Sequence, residues 1–160
     1  MKAITFLATL LITIVSCNCQ KNSTQSNVVA TKSDKTEATM QADVPVIKYE
    51  ANSRGLAFAV KVENQILYVS RVRGFKDYEE KIKISDVDWN EMVTLIKAVD
   101  LAKVKGFKWP TEKRFYDGAA HANITFISGG VEYPASGFDH GFPPVEIEKL
   151  VNKILKLTEK

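Results

Sequence analysis

The 160-residue chain has only two cysteines, Cys17 and Cys19, and none after residue 19. An internal disulfide in the folded part is therefore excluded, and so is a cysteine nucleophile there. Only two histidines are present, His121 and His140, so a histidine-rich metal site is excluded as well. No Gly-x-Ser-x-Gly elbow surrounds Ser128 or Ser136, and no phosphate-cradling glycine loop occurs. Internal repeats are absent. No uncharged run reaches the roughly 20 residues a membrane-spanning helix requires. The formal charge is a mild +3, too small to imply a polyanionic partner, so nucleic acid is not an expected ligand. Nothing in the composition implies a cofactor.

The beginning of the chain has a distinct character. Lys2 is followed by thirteen uncharged, mostly apolar residues, Ala3 to Val15. As a helix they would span roughly 20 Å, short of a hydrocarbon core of roughly 30 Å, which fits a cleavable export signal. Residues 18–43 are rich in Ser, Thr, Asn, Gln, Lys and Ala and contain no aromatic residue. Such a stretch cannot bury enough apolar surface to offset its ordering entropy, and it reads as a tether spanning roughly 30 Å.

At the junction stands Ile14-Val15-Ser16-Cys17. It resembles the lipobox of bacterial lipoproteins. The resemblance covers residues 1–17 and implies that Cys17 carries a diacylglyceryl group and becomes the first mature residue. It also implies placement in the bacterial cell envelope, anchored to a membrane on its periplasmic face or at the cell surface. The expected organisation is a signal over residues 1–16, lipidated Cys17 with a tether over residues 17–45, and one folded domain over residues 46–160. Beyond the lipobox, that domain is similar only to small envelope lipoproteins of unassigned function, which implies no activity.

Within residues 46–160 the pattern alternates at strand period over Val46–Tyr49, Leu56–Val62, Ile66–Val72 and Lys81–Ile84. Ser85 and Asp88 form a capping box, flanked by Ile84 and Trp89 at hydrophobic-staple positions. Trp89, Met92, Val93, Ile96 and Val99 then repeat at helical spacing, which predicts a helix over 86–99. A strand over Ala120–Ser128 turns at Gly129-Gly130 into Val131–Phe138, with Pro134 marking an edge. Pro143-Pro144 opens a helix over 144–157, with Ile147, Leu150, Val151, Ile154 and Leu155 on one face. The expected fold is α+β: a mainly antiparallel sheet of about five to six strands with two helices packed on one face.

Two stretches stand outside this framework. Residues 106–118 mix aromatics with basic side chains, and Trp109, Lys113, Arg114, Phe115 and Tyr116 are the expected binding residues. Lys113–Tyr116 also reads as a short strand turning at Asp117-Gly118. The second stretch, 136–144, carries Asp139 and His140. If it folds over the sheet end it approaches Asp117 and His121, four side chains suited to a divalent metal or to acid–base catalysis. Arg71 and Arg73 share a strand face and suit an anion.

The leading expectation is a membrane-anchored, non-enzymatic binding module whose partner is another envelope protein or a glycan. The rivals are a hydrolase-like or metal-binding domain using Asp117, His121, Asp139 and His140, and an inhibitor-like domain that inserts the 106–118 loop into a foreign enzyme.

Overall fold

The computed structural model describes residues 44–75 and 77–159. Cys17, the expected signal and nearly all of the expected tether lie outside the described residues. The domain is α+β. Seven antiparallel strands form one sheet: β1 (Val46–Asn52), β2 (Ala57–Glu63), β3 (Ile66–Ser70), β4 (Glu80–Lys83), β5 (His121–Ser128), β6 (Val131–Pro134) and β7 (Phe138–Asp139). Their order is β4-β3-β2-β1-β5-β6, and β7 adds to the far end of β5.

Side-chain alternation sets the two faces. Ile47, Tyr49 and Ala51 pair in register with Val62, Val60 and Phe58 on one side, and with Phe126, Ile124 and Ala122 on the other. All nine are buried in one cluster with Leu67 and Val69. The opposite face carries Lys48, Glu50, Lys61, Asn123 and Thr125. Helix α1 (Asp86–Lys97) and helix α2 (Glu148–Leu157) cover the apolar face. Met92 and Ile96 of α1 join the core with Leu150, Val151 and Ile154 of α2. Each such burial stabilises by about 1.5–3 kcal/mol relative to exposure.

Local chemistry explains the element ends. Ser85 Oγ accepts from the Asp88 N–H at 3.1 Å and donates to the Asp88 carboxylate at 2.7 Å, which starts α1. Lys153 of α2 then bridges Asp88 and Glu91 of α1. Gly129 and Gly130 have φ of 56° and 79°, the left-handed pair a two-residue hairpin turn needs.

Three expectations are corrected. Helix α2 begins at Glu148, not at 144, because the Ile147 N–H closes a turn onto Pro144 O, and the first α-type bond runs from the Val151 N–H to Ile147 O. The strand expected over Val131–Phe138 breaks after Pro134 into β6 and β7, since proline contributes no donor to the ladder. Lys113–Tyr116 is a 3₁₀ turn rather than a strand, and a second 3₁₀ helix occupies Leu101–Gly106.

Candidate functional site

Residues 109–118 are fixed by one carboxylate. Asp139, on β7, is fully buried. Its Oδ2 accepts from the Thr111 hydroxyl and from the Lys113 N–H at 2.6 Å. Its Oδ1 accepts from the Arg114 N–H and from the Arg114 guanidinium, each at 3.0 Å. The same guanidinium donates to Thr111 O at 3.1 Å. An anion thus sits against the free N–H groups that open the Lys113–Tyr116 turn, which is why this segment coils. Burial raises the Asp139 pKa, but hydrogen bonds from Thr111 and Arg114 outweigh it and hold the carboxyl down at about 2.

The turn presents its aromatic side chains outward. Phe115 is 69% exposed, Tyr116 71% and Trp109 40%. The Arg114 guanidinium lies 4.9 Å from the Trp109 ring centroid and 4.3 Å from that of Phe115, with only 5% of its side chain exposed. Lys113 Nζ stands 3.8 Å over the ring of Phe142, which is also exposed. Of the five expected binding residues, Trp109, Phe115 and Tyr116 are therefore presented to solvent. Arg114 is not, because its charge is spent on Asp139.

The pleat keeps two of the four expected acid–base or metal residues together and turns a third away: His121 and Asp139 are register partners across β5 and β7, and His140 faces the opposite side. Ala122 and Phe138 pair on the core side, so their neighbours His121 and Asp139 point to the other side. His140 points back to the core side, where its Nδ1 lies 2.7 Å from the Tyr49 hydroxyl and its ring 6.3 Å from Phe58. Burial lowers the His140 pKa and raises that of Tyr49. His121 is exposed and lies against Gly137, where an added Cβ would stand 2.2 Å from His121 Nε2. Asp117 is exposed in a left-handed turn, φ 60°, facing residues 53–55 across a cleft. Among the described residues no group of three or more His, Cys, Asp or Glu is placed to hold a metal ion.

Arg71 and Arg73 lie beyond the end of β3, not on a shared strand face. Arg71 pairs with Glu80 and donates to Thr158 O, while Arg73 braces the 52–54 turn. Sequence reasoning missed Tyr49 and Arg54, and it gave Thr111 and Phe142, which lie within the singled-out stretches 106–118 and 136–144, no role of their own. The proximity of Phe142 to the Asp139-His140 pair offered a signal for that residue.

The aromatic end has a defined place in the domain. Strand β1 runs from Val46, opposite Ile127, to Asn52, opposite His121, and His121 in turn pairs with Asp139. The described chain therefore enters at one end of the sheet and the aromatic side chains cluster at the other, roughly 20 Å away along the strand. Comparison with protein-family models, curated proteins and solved structures finds no match to this chain.

Proposed function

We propose that the chain is a bacterial envelope lipoprotein, held to its membrane by lipidated Cys17. Its domain is a non-enzymatic module that binds another envelope protein through Trp109, Phe115 and Tyr116. The observation that carries this reading is the aromatic trio itself: large apolar rings left in solvent on a turn that a buried ion pair holds still. Rigid exposed aromatics lose little entropy on binding, and such residues dominate protein contact energetics. The polar groups of the lock are satisfied by one another, which leaves them no directed hydrogen bonds for a glycan. The position of the trio, at the sheet end away from where the described chain enters, favours a partner beyond the membrane surface over the bilayer itself.

The test is a photo-crosslinking amino acid placed at Tyr116 in cells that natively carry the protein, with Val87 on α1 as the exposed control. A discrete protein adduct at 116 and none at 87 is the expected result. Equal labelling at both positions, or none at Trp109, Phe115 and Tyr116 in turn, would overturn the reading.

A further inference from the structure

Beside Tyr116 lies a cleft of about 400 Å³ lined by Ser53, Arg54, Gly55, Asp117, Gly118, Ala119 and Ala120. That volume falls in the range of ligand clefts, about 300–1,000 Å³. We infer that this cleft takes the carboxylate-bearing part of a peptide, an inference that rests on the reading of this end as the contact surface.

Charge accounting leads to it. Arg71 and Arg114 each have a carboxylate partner, Glu80 and Asp139. Arg54 and Arg73 have none among the described residues. Both belong to the same turn. Arg73 donates to Asn52 Oδ1 at 3.1 Å, Ser53 O at 2.9 Å and Arg54 O at 3.1 Å. It stiffens the turn that bears Arg54 and adds a second uncompensated positive charge behind it. The Arg54 guanidinium makes no hydrogen bond of its own among the described residues, so its planar fork is free to receive a carboxylate in two parallel bonds.

The other wall fits the rest of a peptide. Asp117 is exposed and has no ion-pair partner among the described residues. It accepts N–H donors and repels a second negative charge, which disfavours a phosphate dianion. Between the walls Gly118, Ala119 and Ala120 have side chains that end at Cβ or earlier, which leaves a peptide backbone room to lie against them. Gly118 is kept small by Tyr116, whose ring edge would stand 2.9 Å from an added Cβ. The aromatic trio and the cleft therefore share a border, and one partner segment spans both.

The inference is tested by titrating the isotope-labelled full chain and following the backbone amide signals of Gly118, Ala119 and Ala120. The probes are acetyl-alanyl-alanine, its C-terminal amide, acetyl-aspartyl-alaninamide and inorganic phosphate. Acetyl-alanyl-alanine is expected to give saturable shifts, and the amide to bind at least about tenfold more weakly. Binding of the aspartyl probe supports a side-chain carboxylate as the source; its failure supports a chain terminus. Arg54→Gln should lower affinity by about tenfold or more while leaving the remaining signals in place, since that side chain makes no hydrogen bond or ion pair among the described residues. Equal binding of acid and amide, or phosphate binding as well as the peptide, overturns the inference. Absence of any saturable shift does the same. If crosslinking at Tyr116 succeeds while the peptides fail, the cleft is wrong and the contact surface stands. The reverse result removes the contact surface and leaves the cleft.

Discussion

Replacing Asp139 with asparagine keeps the shape of the side chain and removes its charge. Four donors converge on that carboxylate: the Thr111 hydroxyl, two backbone N–H groups and the Arg114 guanidinium. Asparagine can serve the donors at one oxygen only, and its amide NH2 then faces N–H or O–H groups that also donate. Arg114 is left charged with 5% of its side chain in solvent. Breaking a buried pair from one side costs about 3–5 kcal/mol, a large share of the roughly 5–15 kcal/mol that stabilises a typical domain. At about 4 °C per kcal/mol, the expected fall in Tm is about 12–20 °C. Circular dichroism through thermal and urea unfolding measures it. The double variant Asp139→Leu/Arg114→Met, which removes both charges, should be more stable than Asp139→Leu alone.

Acid supplies an independent check. The Asp139 pKa is depressed from 3.8 to about 2 in the fold. The unfolded chain therefore binds the proton first as pH falls, so this contribution is whole above about pH 4 and is lost as pH drops through about 2. The gap between the native protein and Asp139→Asn should hold constant above pH 4 and narrow below it. A loss under about 1 kcal/mol, or a gap indifferent to acid, would refute the account of the lock.

Tyr49→Phe leaves His140 Nδ1 without its partner and should cost about 0.5–1.5 kcal/mol by urea unfolding. His140 has a pKa below 6.5 in the fold because burial disfavours its charged form, so stability should decline as pH falls below 6.5 and level off beneath its folded pKa; His140→Leu should abolish that step. Gly137→Ala pushes the His121 ring aside and should cost about 1 kcal/mol, most of it recovered in Gly137→Ala/His121→Ala; additive losses in the double-mutant cycle would contradict the contact. Cys17→Ser should abolish acyl mass on the first mature residue and shift the protein from the membrane fraction to the soluble one, whereas unchanged partitioning would remove the anchor from the proposed function.

Much of the framework was legible because its causes are local. The capping of α1 needs only Ser85, Asp88 and the residues between them, and its apolar stripe repeats within two turns. The β5–β6 hairpin follows from adjacent glycines that accept positive φ. The aromatic loop was visible as a stretch that fitted neither strand nor helix. What escaped was nonlocal. The Lys113–Tyr116 coil depends on a carboxylate 25 or more positions away, so its own four residues, two basic and then two aromatic, read equally well as a strand. β7 is two residues long and carries no periodicity at all.

The same limit governs which charges are available. In the sequence Arg114 is one more cation in an aromatic–basic stretch, while Arg54 stands in an unremarkable Ser-Arg-Gly turn. Folding reverses their apparent roles. Asp139 takes Arg114 out of circulation and holds its guanidinium within 4.9 Å of the Trp109 ring centroid and 4.3 Å of that of Phe115. Arg73 spends its donors on backbone oxygens of the turn at Arg54, whose own guanidinium has no hydrogen-bond partner among the described residues. Substituting Arg114 would therefore test stability first and contact only second. The contact surface must instead be probed through exposed side chains outside the Asp139 lock, Tyr116 and Arg54, and through Phe115 with its stability measured alongside, since its ring lies 4.3 Å from the Arg114 guanidinium.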